Sequence, residues 1–393
     1  MTGFILNVLL FAPFGLALGL LVPRRAWVWF IPPVVSLTIE LLQWGLIPGR
    51  SAALGDLLAN SIGGIVGILC GVFSHFLLLP NTRRARRLAA VSGVLSIVAL
   101  AVGGSMLAPS VPFQVFWVQW LPNKGGYDVF AGQLDSLEVN GRSLRQYEEV
   151  DPVHEVAVLS GERNEIRAVV HPFGRGSSRI ALIARLAGPV NERFMIGRYG
   201  DDFVYRSRMR AADFGLRVPI GSLDNAFRDV TGSNSAADTA TIELESSALG
   251  STMHLKARGP AGEVSRSLAL SPAVAWSFLA PRDLPLGSHY LWWNALFLMF
   301  VSLPVMYWLA VSATPRTRRR DTARGRAKTA IMLVALIMGL ASVHIISGGA
   351  PFALLEWTGV AAAGAIGLLL SAATRRARRP RPTVEDHHTR DFA

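Results

Sequence analysis

Runs of about 20 apolar residues recur at both ends of this 393-residue chain and bracket a long polar middle. A helix needs roughly 20 apolar residues to cross a hydrocarbon core of ~30 Å. The runs predict seven spans: 2–22, 27–47, 54–79, 88–107, 290–310, 329–346 and 352–373. The chain is 51% hydrophobic, too apolar and too long for one soluble domain. The expected fold class is a membrane all-α helical bundle of about seven spans with an inserted all-β sandwich or jelly roll. Residues 1–108 hold four spans, 109–286 the inserted domain, 287–374 three spans, and 375–393 a basic tail. The first run follows Met1 directly, without a charged n-region or a small-residue cleavage site, so it reads as a retained helix.

The net charge of +12 invites a nucleic-acid reading, but its distribution argues against one. Residues 109–286 carry 19 Lys and Arg against 20 Asp and Glu. The other 20 basic residues sit beside the spans: all but Arg50 fall in 24–25, 83–87, 316–328 and 375–390. Alternating the spans puts each of these four clusters on one side, as the positive-inside rule requires. The N-terminus and the middle domain then lie outside the cytoplasm and the tail inside. Anionic and other membrane lipids are the expected partners of the basic loops, and nucleic acid is not.

Within the spans, polar residues cluster between Ser36 and Gly67. Glu40 and Gln43 are spaced i,i+3, and Asp56 and Asn60 i,i+4, so each pair shares a helix face. A Pro48-Gly49 turn with Arg50 would bring the faces together, and Asn7 lies near the outer end of the first span. An ionisable residue mid-membrane costs at least ~2.5–3.5 kcal/mol, so each needs a partner or a purpose. The cluster Asn7, Glu40, Gln43, Arg50, Asp56 and Asn60 is the candidate site; a helix-joining clamp explains the same residues. Pro32-Pro33 should kink or delay the second span. Gly63, Gly64, Gly67 and Gly71 offer the small-residue spacing of close helix packing. His344 and Glu356 border the last outer turn, where capping is the simpler role.

The middle domain reads as nine short strands: 133–139, 154–159, 165–170, 179–186, 193–199, 203–209, 241–245, 252–257 and 263–270. A Gly200-Asp201-Asp202 turn joins two of them, and these two aspartates suit a hairpin better than calcium. Residues 221–238, rich in Ser, Asn and Asp, read as a long loop. Cys70 is the only cysteine, so there is no disulfide framework or cysteine metal site, and no motif implies a cofactor.

Asn7-x-x-x-Phe11-x-Pro13-Phe14-Gly15, Ser36-x-x-x-Glu40-x-x-Gln43, Arg50, and Asp56-x-x-x-Asn60-x-x-Gly63 together resemble the VanZ-like family of membrane proteins through residues 4–80. The resemblance implies a bacterial cell-membrane protein linked to glycopeptide antibiotic tolerance. The family has another span ahead of the Asn7 segment, so either a shorter member or an upstream start is expected. Residues 179–184, 193–198 and 203–210 are similar to the concanavalin A-like (laminin G-type) sandwich fused to some VanZ-like proteins. That implies recognition of an envelope glycan, glycolipid or protein.

The leading expectation is therefore a non-enzymatic envelope protein. The alternative is a membrane enzyme on a lipid-linked substrate, with Glu40 or Asp56 as acid or base and Arg50 on an anionic headgroup. No nucleophile elbow, His-rich metal pattern or phosphate-cradling loop accompanies it. No inverted repeat supports a transporter.

Overall fold

The computed structural model describes residues 2–22, 25–46, 54–78, 80–112, 114–151, 163–174, 176–189, 191–232, 240–280, 283–313 and 319–377. Among these, helices long and apolar enough to cross a membrane lie at Ala26–Gln43, Gly55–Val72, Thr82–Met106, Tyr290–Ser312, Arg326–Ser347 and Leu354–Thr374. A shorter apolar stretch, Leu6–Leu21, lies in the first helix. The described residues thus include six candidate membrane helices, this shorter apolar helix and a large two-sheet β domain.

The first helices are α1 (Thr2–Leu21), α2 (Ile31–Leu46) and α3 (Leu54–Val72). Ala26–Phe30 forms a 3-10 turn, so the span opens with a tighter coil and Pro32-Pro33 falls in the first turn of α2. Proline fits there because first-turn N–H groups have no intrahelical acceptor. The helix is delayed rather than kinked. The glycines of α3 bring α1 within backbone contact. A Cβ on Gly63 would strike the Val8 carbonyl, one on Gly67 the Ala12 carbonyl, and one on Gly71 would come 2.7 Å from the Gly19 Cα. Gly15 faces the Gly64 backbone in the same way.

The expected 54–79 span breaks at Phe73, and α4 (Ser74–Leu78) is a separate turn. The Arg83–Arg87 cluster is helical rather than a loop: α5 (Thr82–Met106) starts at Thr82, with the Asn81 side chain accepting from Arg84 N at 2.9 Å. Arginine is a good helix former, so a capped start ahead of the apolar run extends the helix through it.

The β domain stacks two sheets. One runs Pro285–Leu286 (β14), Ile220–Leu223 (β10), Asp202–Ser207 (β9), Glu192–Tyr199 (β8), Ile180–Ala187 (β7), Phe116–Trp120 (β1) and Glu149–Val150 (β5), with Asp128–Val129 (β2) also on β7. The other runs Gly262–Ala269 (β13), Thr252–Gly259 (β12), Ile242–Leu249 (β11), Arg163–Pro172 (β6), Gly132–Val139 (β3) and Arg142–Ser143 (β4). Pairing is antiparallel except for β10 with β14 and β2 with β7. Phe116, Phe194, Phe203 and Tyr205 of the first sheet meet Leu137, Ile166, Leu244 and Leu255 of the second. Each is at most 3% exposed, and their period of two is what half-buried strands dictate.

Two readings of the middle domain change. Residues 220–232 are not an open loop: β10 lies in the sheet, and α6 (Ala226–Thr231) buries Phe227 and Val230. The polar residues around that apolar pair masked it. Phe116–Trp120 form β1, a strand absent from the sequence reading, and it pairs with β7. The 154–159 strand lies outside the described residues. The β8–β9 hairpin does turn at Gly200, whose φ of +58° suits glycine. Both turn aspartates face protein donors: Arg198 pairs with Asp201 at 2.9 Å, and Asn225 N donates to Asp202 at 2.7 Å.

The remaining helices are α7 (Tyr290–Ser312), α8 (Arg319–Ser347) and α9 (Leu354–Ala377). Helix α7 packs on α5 and α9, and a Cβ on Gly359 would strike the Ala295 carbonyl. Trp308 Nε1 donates to the Leu77 carbonyl at 2.8 Å and the Tyr307 hydroxyl to that of Leu78, tying the end of α4 to α7.

The α1–α3 contact gives a direct test. Gly67→Leu should destabilise the protein by about 1–3 kcal/mol or more, since backbone cannot yield to the new side chain. Gly45→Ala, with open space around it, should be neutral or slightly stabilising. Thermal melts in detergent check both; equal melting temperatures would remove the close contact.

Candidate functional site

The helix trio brings together much of the polar cluster. Asn7 Nδ2 donates to Asp56 Oδ1 at 2.8 Å, joining α1 to α3. Asn60 Nδ2 donates to Ser36 Oγ at 3.1 Å, joining α2 to α3. Asp56 and Asn60 therefore share a face of α3 but reach different neighbours. Glu40 lies one turn after Ser36 and is buried. Gln43 follows on the same α2 face; its Oε1, like Oδ1 of Asn60, is buried with no donor among the described residues. Arg50 and the Pro48-Gly49 turn lie outside the described residues. The cluster is thus two interhelical ties beside a buried carboxylate.

A second polar centre joins the β domain to the spans. Glu356, near the start of α9, is 1% exposed. Its Oε1 accepts from Ser271 Oγ and Asn294 Nδ2, both at 2.6 Å, and its Oε2 from Ala353 N at 2.6 Å. Trp276 Nε1 donates to Asn294 Oδ1 at 2.7 Å. The backbone contact to Ala353 caps α9, as expected for a glutamate at that position. The other two bonds clamp β-domain residue Ser271 and α7 residue Asn294 to one carboxylate. His344 bonds the Ala341 carbonyl at 2.7 Å, a local contact.

A third centre escaped the sequence reading. A cavity of about 300 Å³ opens on the outer face of the first sheet, lined by Tyr127, Glu192, Arg193, Arg206, Arg208, Arg217 and Asp283 among others. Phe194 and Ile196 of β8 point into the core, so Arg193 and Met195 point outward. Met195 pairs with Arg206 of β9, and Arg208 N bonds the Arg193 carbonyl at 2.8 Å. Three arginines therefore share one face. Arg206 donates to Glu192 at 2.6 Å and to the Tyr127 hydroxyl at 3.1 Å. Tyr127 donates to Asp283 at 2.6 Å, and Arg217 pairs with Asp283 at 2.6 Å.

These contacts set the charges. Burial pushes the Tyr127 hydroxyl up to about 12, so it stays protonated and donates. Burial works against ionisation at Glu192, yet Arg206, with Lys124 and Arg185 beside it, holds its carboxyl below the usual range. At Asp283 burial is likewise outweighed, by the Tyr127 hydrogen bond and by Arg206 and Arg217. Burial pushes the Arg193 guanidinium below its ordinary value, and the neighbouring Arg208 acts in the same direction. Among the described residues no group of three or more His, Cys, Asp or Glu is placed to hold a metal ion.

The family model described as VanZ/LLP1 matches residues 1–96, which contain α1 to α4, most of α5 and the whole Asn7-to-Asn60 cluster. That part of the chain is similar to VanZ/LLP1 proteins. No curated protein and no solved structure matches the chain.

Two measurements follow. An Asn7→Ala/Asp56→Ala double-mutant cycle should give a coupling of about 0.6 kcal/mol, at most about 1.7, by unfolding in detergent; zero coupling would deny the tie. Because folded Glu192 and Asp283 have lowered values, their stabilisation is full above the ordinary carboxylate pKa of about 4 and is lost as pH falls through the lower folded values. Melting of the β domain should hold steady from about pH 7 to about pH 5 and drop below about pH 4. The Glu192→Gln/Asp283→Asn double variant should show a smaller acid drop.

Proposed function

We propose that this protein is a non-enzymatic, multi-pass protein of the bacterial inner (plasma) membrane. Its β domain, read as concanavalin A-like, recognises an amphiphilic envelope molecule such as a glycolipid. The domain lies on the extracytoplasmic side and the tail in the cytoplasm, in keeping with the four basic clusters and the positive-inside rule. The likeness of residues 1–96 to VanZ/LLP1 supports an envelope role connected with glycopeptide antibiotic tolerance.

The observation that carries the reading is how the β domain sits on the spans. A module that reaches for distant polymers works well on a flexible linker. Here the 3-10 segment Pro272–Leu279 packs against α5 and α7. The Glu356 carboxylate joins Ser271 to Asn294, and Ala350 N bonds the Leu270 carbonyl at 3.0 Å. The Ser96 hydroxyl adds a bond to the Val301 carbonyl at 2.9 Å between α5 and α7 beneath it. A domain fixed at that height suits a ligand whose own anchor holds it in the same membrane. Trp276 and Trp293, 5.9 Å apart, line a second cavity of about 390 Å³ at this junction, with Tyr290 and His289. Aromatic faces beside polar groups suit an amphiphile with one apolar and one wet end.

The test uses the full-length protein in phosphatidylcholine nanodiscs titrated with bacterial envelope glycolipids incorporated in the discs, and with their water-soluble glycans. Saturable binding of the lipid-anchored forms, at least about tenfold tighter than of the free glycans, is expected from the shared anchoring. No saturable binding by protein that melts cooperatively would overturn the reading and turn attention to Glu40 and Asp56.

A further inference from the structure

Resting on that reading, we infer that the cavity between Asp224, Trp276 and Trp293 holds the uncharged sugar headgroup of a membrane glycolipid. The Trp276 and Trp293 rings lie 5.9 Å apart and tilted by 40°, which makes an angled platform rather than a slot. A sugar ring has an apolar C–H face for such a platform and hydroxyl donors at its edge. Asp224 supplies the acceptor. Arg266 Nη1 at 3.2 Å and Ser288 N at 2.7 Å both donate to its Oδ2. Gly287, which also lines the cavity, leaves Oδ1 uncovered, since a Cβ there would stand 2.7 Å from it. An ionised carboxylate is an acceptor at both oxygens, so Oδ1 can take a ligand hydroxyl. The charges around the cavity select against an ionic headgroup. Arg266 pairs with Asp224, and its guanidinium carbon lies 5.9 Å from the Tyr290 ring centroid. A quaternary ammonium would compete with Arg266 for both the carboxylate and that aromatic face. An anionic group would face the Asp224 carboxylate, and the described lining residues include no Lys or Arg. A neutral polyol avoids both conflicts.

The lining itself places the cavity at the membrane. His289 directly precedes α7, and Tyr290 and Trp293 stand in its first turn, the start of the Tyr290–Ser312 stretch long and apolar enough to cross a bilayer. One wall is therefore the beginning of a span, where tryptophan favours the membrane–water interface. Trp292 and Trp293 are 59% and 56% exposed, and of the two Trp293 lines the cavity. The facing ring is pinned by the junction: Trp276 Nε1 donates to Asn294 Oδ1 at 2.7 Å, and Asn294 Nδ2 to Glu356 at 2.6 Å. Asn294 follows Trp293 in the chain, so the carboxylate that seats the β domain also sets the spacing of the two rings. Arg266 Nη2 bonds the Gly287 carbonyl at 2.9 Å, holding β13 to the chain that enters α7. A headgroup whose acyl chains lie in the adjacent leaflet reaches this level without leaving the membrane. At about 390 Å³ the cavity is at the small end of ligand pockets, which suits a headgroup better than a polymer.

The experiment measures the melting temperature and affinity of the full-length protein in phosphatidylcholine nanodiscs that carry glucosyl diacylglycerol, with the same diacylglycerol lacking the sugar as the control. A saturable rise in melting temperature is expected with the sugar-bearing lipid and not with the control, because a ligand of the folded state stabilises it. Trp293→Ala removes one aromatic face and should weaken binding by about tenfold. Trp292→Ala, similarly exposed in the same turn but outside the cavity lining, should bind like the wild type. The pair separates a binding wall from interfacial anchoring, to which both tryptophans contribute. Trp293→Leu keeps apolar bulk without the aromatic face, should also weaken binding, and decides if Trp293→Ala fails to melt cooperatively. The site is overturned by no saturable rise with the sugar-bearing lipid, by an equal rise with the control, by Trp293 variants that bind like the wild type, or by Trp292→Ala losing as much as Trp293→Ala. If other envelope glycolipids still bind the wild type saturably in such a case, the recognition reading stands without this site. If none binds, both fall.

Discussion

A single buried carboxylate sets how the two halves of this protein meet. Glu356 is 1% exposed and accepts three hydrogen bonds, from the β domain, from α7 and from its own helix start. A buried charge is tolerated only where such donors replace its water. Removing any one donor would leave an oxygen short, at a cost of about 1–3 kcal/mol or more. The carboxylate therefore favours one mutual arrangement of Ser271, Asn294 and Ala353. It fixes the height and tilt of the sandwich above the spans, and the cavities beside the junction inherit that geometry.

The N-terminal trio solves a related problem differently. Helices in lipid gain little from hydrophobic contact with each other, so they pack through small residues and a few polar ties. Gly63, Gly67 and Gly71 remove the side chains that would hold α3 away from α1. The close approach then lets Asn7 reach Asp56, and Asn60 reach Ser36 across the other groove. Packing and polar ties depend on each other here. The glycines would be ordinary helix weaknesses without the neighbour, and the polar residues would be costly without the approach.

Much of this was legible in the sequence because membrane crossing imposes simple rules on it. Apolar run length located the helices, proline position set the start of α2, and the i,i+4 spacing placed Asp56 and Asn60 on one face of α3, where they reach Asn7 and Ser36. Period-two patterning likewise found most long strands of the β domain. What was missed is local or three-dimensional. The β1 run Phe116–Trp120 has Gln119 as its one polar residue, so it shows no apolar–polar alternation. The Ala226–Thr231 helix hides its buried Phe227 and Val230 among Asn225, Arg228 and Asp229. Glu356 looked like a capping residue, and it is one; its two other partners come from distant elements, and spacing along the chain does not reveal them.

The arginine face was missed for a more general reason. Arg193 on β8, Arg206 on β9, and Arg208 and Arg210 in the chain just after β9 alternate with core residues, so they fit the polar outer face of a sandwich strand. That inference assumes water on the outer face. Here the segment around Tyr127, the Arg210–Phe214 turn and the chain leading into β14 fold over that face and enclose it, leaving only Arg210 of the four exposed. Alternation specifies which residues leave the core, and topology decides whether they reach solvent. In a domain inserted between two membrane spans, the entering and leaving chains must return to the same surface. They cover part of the sheet on the way. Polar residues beneath them become desolvated, and charge there carries more weight than it does on an open surface.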